Sequence, residues 1–152
     1  MLSSLPELLP QFDVCHICGK GNLDASLNDT AGYRQLEFVD KDLPDLLATA
    51  DLVLSRAGSN ALCEFQALGK PMLLVPYPKG ASRGDQILNA QSLERRGLCR
   101  VLLQENLTRT ALLDALNSLW RDRDQLEKAL HDAPPADGTK RVLEMIEEVQ
   151  KR

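Results

Sequence analysis

Two stretches of this sequence gather glycines and polar side chains at spacings suited to holding a phosphate and a sugar. The first is Ser55-Arg56-Ala57-Gly58-Ser59-Asn60-Ala61-Leu62-Cys63-Glu64. Gly58 allows close approach to the backbone, and Ser59 and Asn60 bring capping side chains and free backbone N–H groups to the start of a helix. Together with the helix dipole, these suit a phosphate or a polar sugar. Glu64 follows one turn later, where a carboxylate can accept hydrogen bonds from two neighbouring hydroxyls, as on a ribose. A plain N-cap at Ser59 and a dipole partner at Glu64 account for the same residues, so local chemistry leaves both readings open.

The second stretch is Pro76-Tyr77-Pro78-Lys79-Gly80-Ala81-Ser82-Arg83-Gly84-Asp85-Gln86-Ile87-Leu88-Asn89. On a helix beginning near Asp85, the side chains of Asp85, Gln86 and Asn89 lie toward one side, while Ile87, Ala90 and Leu93 form another stripe. Two amides and a carboxylate at a helix start suit a ligand dense in hydroxyls, and Lys79 and Arg83 lie within reach of phosphates. A lesser junction follows Glu37-Phe38-Val39-Asp40.

Catalytic chemistry is harder to find. Ser55 and Ser59 lack a G-x-S-x-G frame, and His16 and His131 pair with no evident nucleophile. The glycine patterns of dinucleotide sites and P-loops are missing, so those readings lose their main support. Cys15-His16-Ile17-Cys18 has C-x-x-C spacing, but zinc would need a second pair and haem attachment a histidine where Gly19 stands. We expect reduced, half-buried strand cysteines, and neither a metal nor a cofactor.

These residues must be positioned by a folded scaffold. The chain has 152 residues, 43% hydrophobic and 26% charged, which fits one globular domain rather than a disordered chain. A formal charge of -4 argues against a nucleic-acid partner recruited by bulk positive charge, and against a polybasic membrane anchor. Residues 51–120 nevertheless carry +2, between flanks of -5 and -1, so an anion is best received there. Solvated surface charge explains the same distribution. Apolar runs are far shorter than a membrane span, and the first residues do not read as a signal peptide, so the chain is expected to be soluble and intracellular.

Apolar runs predict strands over 12–18, 34–39, 51–55, 71–77 and 100–103, several continuously apolar as in parallel strands buried on both faces. Helical patterns occupy 43–50, 60–68, 85–96 and 109–120, with Gly69 and Gly97 placed to end two of them. This rhythm predicts an α/β fold, a Rossmann-like, doubly wound, mostly parallel sheet. Ligands then bind beyond the carboxyl ends of the strands, where the polar stretches fall. Residues 1–10 read as the end of a helix feeding a strand. A Pro-rich break at 132–138 precedes an amphipathic helix over 139–150, with Val142, Met145, Ile146 and Val149 at helical spacing. We therefore divide the chain into a domain over 1–132 and a linker with a C-terminal helix over 133–152.

The run from Ala50 through Ser55-Arg56-Ala57-Gly58-Ser59-Asn60 to Glu64-Phe65, then Ala67-Leu68-Gly69-Lys70-Pro71 and Gly84-Asp85-Gln86-Ile87-Leu88-Asn89-Ala90, closely resembles the MurG family. The similarity extends from about residue 5 to 119, and the two motifs together are specific. MurG enzymes are bacterial GT-B glycosyltransferases that add N-acetylglucosamine to lipid I to make lipid II. The resemblance implies the C-terminal, donor-binding half of such an enzyme, lacking its first strand and the Gly-Gly-Ser-type loop that meets the diphosphate. It implies that Val39 meets uracil through its backbone with Phe38 beside it, and that Glu64 holds the ribose. Gly58, Ser59, Asn60 and Ala61 would lie against the diphosphate and sugar, and Asp85, Gln86 and Asn89 would bind N-acetylglucosamine hydroxyls. The lipid I acceptor and the general base would belong to an absent N-terminal domain, so the chain is expected to be inactive alone. The whole enzyme would be peripheral on the cytoplasmic face of the plasma membrane. A missing strand leaves a sheet edge that invites self-association. Two other readings are the donor domain of another GT-B UDP-sugar transferase and a non-catalytic sugar-nucleotide-binding module; a preference for UDP-glucose would favour the former. A Rossmann-like interaction domain without a ligand is the third.

Overall fold

The computed structural model describes residues 2–80, 84–134, 143 and 146–149. A short 3-10 turn, Leu2–Ser4, leads into α1 (Leu5–Leu8) and then β1 (Val14–Ile17), as the sequence suggests for a helix end feeding a strand. There follow β2 (Tyr33–Leu36), α2 (Leu43–Thr49), β3 (Val53–Ser55), α3 (Ser59–Ala67), β4 (Met72–Leu74), α4 (Asp85–Arg95), β5 (Arg100–Val101) and α5 (Arg109–Asp132). All strand pairs are parallel, and each expected strand is present but shorter than its apolar run.

The core shows why β4 reads as continuously apolar. Met72 and Leu74 pack in one cluster with Leu62 and Phe65 of α3 and Ala90 and Leu93 of α4. Leu73, between them, belongs to a second cluster with Leu8, Leu112, Leu116 and Leu119. Alternate residues of a strand face opposite sides, so β4 is covered on both faces and the arrangement is doubly wound. Gly69 and Gly97 end α3 and α4 at φ +62° and +72°, as their positions predict.

Two expectations need correction. The sheet is not continuous: β1 pairs only with β2, and β3, β4 and β5 form a second sheet. Pairing explains where the gap falls. Val14 and Cys18 donate toward β2 (to Gly32 and Leu36), and Val53 and Ser55 bond toward β4, to Pro71 and Val75. The backbone groups of Cys15 and Ile17 on β1, and of Leu54 on β3, therefore face away from those partners. They border a cavity of about 1200 Å³ lined by both strands and by Leu8, Phe12 and Leu47. The second correction is that α5 runs on to Asp132 rather than ending at Trp120. Leu126 and Leu130 continue the buried stripe of Leu112, Leu116 and Leu119 beyond a charged stretch, and Pro134 follows the end. The predicted helix over 139–150 lies largely outside the described residues.

Candidate functional site

The polar stretches fall at the carboxyl ends of β2, β3 and β4, on loops leading into helices. After β3 the chain makes a short turn into α3. Here the expected capping is not found. Gly58, not Ser59, is the N-cap, and no side chain caps the helix; Ser59 is its first residue. The first carbonyl bond of the helix is Leu62 N–H to Gly58 O, at 3.0 Å. The N–H groups of Ser59, Asn60 and Ala61 precede it and have no intrahelical acceptor. Ser59 and Asn60 are exposed and Ala61 is half-buried. The reading of Ser59 as a plain N-cap is thus excluded.

Gly58 is unusual among the described glycines. Seven others have positive φ, between +62° and +100°, which accounts for them as glycines. Gly58 sits at φ -71°, ψ 137°, a conformation open to any residue. A Cβ built on it meets nothing within 4 Å. Neither backbone strain nor packing within the chain calls for glycine here. Gly58 immediately precedes the N–H groups of Ser59, Asn60 and Ala61, which have no acceptor among the described residues.

Asp85, Gln86 and Asn89 do begin a helix, with Gly84 as its left-handed N-cap at φ +83°. The structure brings this helix start against the turn before α3. Asn89 Nδ2 donates to Ala57 O at 3.2 Å, and Gln86 Oε1 accepts from the Tyr77 N–H at 3.2 Å. Each amide spends one polar atom on the scaffold, leaving Asn89 Oδ1 and Gln86 Nε2 with no partner among the described residues. Asp85 is exposed, and so is Lys79 in the preceding loop; Arg83 lies outside the described residues.

Glu64 is exposed on α3 and lines the large cavity together with Ser55, Arg56 and Ala61. Phe38 and Val39 stand on the other sheet, past β2. Phe38 is 77% exposed, a large aromatic ring with little protein against it. Both line a second cavity of about 630 Å³ with Asp40, Lys41, Leu46 and Thr49. Leu46 and Thr49 of α2 also line the first cavity, so the two adjoin across that helix.

One residue in this region was given no role by spacing. Arg56 Nη1 donates to Val75 O at 2.9 Å and to Gln104 Oε1 at 2.7 Å, and its guanidinium lies 4.3 Å from the centre of the Tyr77 ring. Its partners are far apart in sequence, which is why no local pattern reveals them. The cysteines are all free: Cys15 and Cys63 are exposed, Cys18 is half-buried and Cys99 buried. Only Cys18 matches the half-buried expectation, and Cys63 is on a helix. Among the described residues no cluster of His, Cys, Asp and Glu suits a metal ion. None of the described helices is long and apolar enough to cross a membrane.

The glycosyltransferase family 28 C-terminal domain matches residues 1–148. The chain belongs to that family. A Geobacillus thermodenitrificans protein named UDP-N-acetylglucosamine–N-acetylmuramyl-(pentapeptide) pyrophosphoryl-undecaprenol N-acetylglucosamine transferase is 49% identical over 145 residues, 95% of this chain and 41% of its own length. A Geobacillus kaustophilus protein of the same name is 46% identical over 149 residues, 98% of this chain and 42% of its own length. This chain therefore spans about two-fifths of the length of these relatives. Among solved structures, MurG of Acinetobacter baumannii aligns with TM-score 0.74 and 25% identity, over 97% of this chain and 48% of that one. The glycotransferase of kitacinnamycin aligns with TM-score 0.69 at 20% identity over 85% of this chain, a likeness of fold alone. The family 28 assignment and the GT-B-type α/β fold bear out the resemblance read from the two motifs.

Proposed function

We propose that this chain is the donor-binding domain of an inverting N-acetylglucosaminyltransferase that converts lipid I to lipid II, and that it binds UDP-N-acetylglucosamine. The observation that carries this reading is Gly58, a glycine demanded by neither its φ nor its described neighbours, set before three N–H groups of α3 that have no acceptor among the described residues. Those groups and the helix dipole receive the diphosphate through Gly58, Ser59, Asn60 and Ala61. Glu64 accepts from the ribose hydroxyls. The exposed ring of Phe38 and the backbone of Val39 take the uracil. Asp85, Gln86 and Asn89 bind sugar hydroxyls, the two amides through the atoms they do not spend on the scaffold. The names of the close relatives support the same donor sugar.

Inverting transfer also needs the acceptor hydroxyl deprotonated and aligned with the anomeric carbon. In this reading the base and the lipid I site belong to the part of the enzyme beyond this chain. The whole enzyme works at the inner face of the bacterial plasma membrane, and the isolated chain binds donor without turning it over. Ligand-observed NMR titration tests the reading, with UDP-N-acetylglucosamine, UDP-glucose and NAD compared on the parent chain and on Glu64→Ala. Selective binding of UDP-N-acetylglucosamine, weakened in the variant, is expected. Preference for UDP-glucose, or no sugar-nucleotide binding, overturns it.

We also propose that copies of the chain associate through the free edges of β1 and β3. The backbone groups of Cys15, Ile17 and Leu54 lack strand partners among the described residues, and Ile17 and Leu54 are exposed apolar residues at 44% and 36%. Such edges template pairing with another chain. Light scattering at rising concentration should show a growing mass; a monomer throughout refutes it.

A further inference from the structure

The side-chain network around Arg56 joins three loops that are remote in sequence. Arg56 follows β3, and its Nη1 holds Val75 O at the end of β4 and Gln104 Oε1 in the 3-10 turn Gln104–Asn106 after β5. Its guanidinium face covers Tyr77, whose own N–H is bonded to Gln86 Oε1 on α4. The neighbouring Ala57 O accepts from Asn89, also on α4. Gln86 thus bonds the backbone of the residue that the guanidinium covers, and Asn89 the carbonyl of the residue beside Arg56. An arginine suits this junction because its planar fork can donate in two directions while its face stacks on an aromatic ring.

We infer that Arg56 is a positioning residue, which sets Gln86 and Asn89 relative to the start of α3 and thereby governs how the site discriminates the sugar of its ligand. Its guanidinium is occupied by protein partners at Nη1 and on the face toward Tyr77. Discrimination between a nucleoside diphosphate and its sugar conjugate then depends on this clasp, because only the conjugate reaches α4. This rests on the donor reading above, but the geometry is testable without any ligand.

The test uses the 152-residue chain as the parent, Arg56→Ala, Arg56→Lys and Gln104→Ala, with folding checked by circular dichroism. In the ligand-free chain, the backbone amide resonance of Tyr77, which donates to Gln86 Oε1, and the side-chain amide resonance of Asn89 are expected to move toward solvent-exposed values in Arg56→Ala. That of Asn22, whose Nδ2 donates to Cys18 O elsewhere, should stay. In titrations, the affinity for UDP should change less than threefold, whereas the added affinity of UDP-N-acetylglucosamine over UDP falls at least fivefold. Arg56→Lys keeps the charge but not the fork, and should not restore the preference. If Arg56→Ala does not fold, Gln104→Ala removes one arm of the clasp and should show a smaller change of the same kind. Unmoved amide resonances overturn the inference. So does full rescue by lysine, or equal weakening of both ligands, since either means the charge acts on the phosphates directly. If the parent binds neither ligand, the donor reading fails and the amide resonances alone decide the role of Arg56.

Discussion

Replacing Gly58 with alanine separates what the fold needs from what a ligand needs. The backbone at φ -71°, ψ 137° accepts an alanine without strain, and nothing lies within 4 Å of the new Cβ. Reduced freedom of the unfolded chain favours the variant by about 0.4–1 kcal/mol. Alanine is the poorer N-cap, which costs about 0.5–1 kcal/mol against glycine. The two nearly cancel, so stability should change by less than about 1 kcal/mol, or roughly 2–4 °C in Tm for a domain of this size. Binding should respond differently. The added methyl stands before the N–H groups of Ser59, Asn60 and Ala61, where the proposed diphosphate must come close. Crowding of this kind costs about 1–3 kcal/mol, so UDP-N-acetylglucosamine affinity should fall about tenfold or more, at ~1.4 kcal/mol per decade. Thermal unfolding and NMR titration of the same two samples measure both quantities. A loss of stability above about 2 kcal/mol would mean that the fold itself requires the glycine. Unchanged affinity would mean that no ligand approaches there. Either result removes the observation on which the site rests.

Two further outcomes follow from titratable groups. Burial pushes the Cys99 thiol up to about 12, so iodoacetamide at pH 8 should leave Cys99 unmodified until the chain is unfolded, while the exposed Cys63 is alkylated in the native state; peptide mass mapping reads the order, and early labelling of Cys99 refutes it. Burial also holds His16 below its ordinary value, beside the Tyr33 hydroxyl 2.9 Å from Nδ1. The unfolded chain then takes up this proton at higher pH than the folded one. Stability should be complete above about pH 6.5 and decline as pH falls through the folded pKa of His16. Denaturant midpoints between pH 8 and 5.5 measure it, with His16→Gln expected to flatten the slope; equal slopes in both proteins refute it.

Most elements were legible because their signals are local. The Met72-Leu73-Leu74 run is apolar at every position because both faces of β4 are covered. The start of α4 was visible from Gly84 and the polar residues that follow. What sequence could not show depends on distant partners. The far half of α5 was hidden by the charged run at 121–124, and is carried by Leu126 and Leu130 packing on remote elements. The split of the sheet was hidden because Cys15 and Leu54 look like ordinary strand residues; only pairing reveals their free edges. Capping by Ser59 was the reasonable local expectation, and failed because the turn from β3 makes Gly58 the last non-helical residue.

The candidate site divides its polar atoms into two groups, and the division itself argues for a ligand. Arg56 Nη1, Gln86 Oε1 and Asn89 Nδ2 are used within the protein, the first tying three strand-end loops and the other two tying α4 to such loops. These bonds make a rigid frame, since each crosses between elements rather than within one. Set on that frame are groups with no fold partner among the described residues: the first N–H groups of α3, the second polar atom of each amide and the Glu64 carboxylate. A surface serving stability alone would still gain from capping α3 with a Ser, Thr, Asn or Asp at position 58, by about a few tenths of a kcal/mol over glycine. The chain instead holds a glycine there and leaves the helix start open. Rigid positioning of unsatisfied donors is what recognition of an anion requires, because the cost of ordering the site is met during folding rather than at binding.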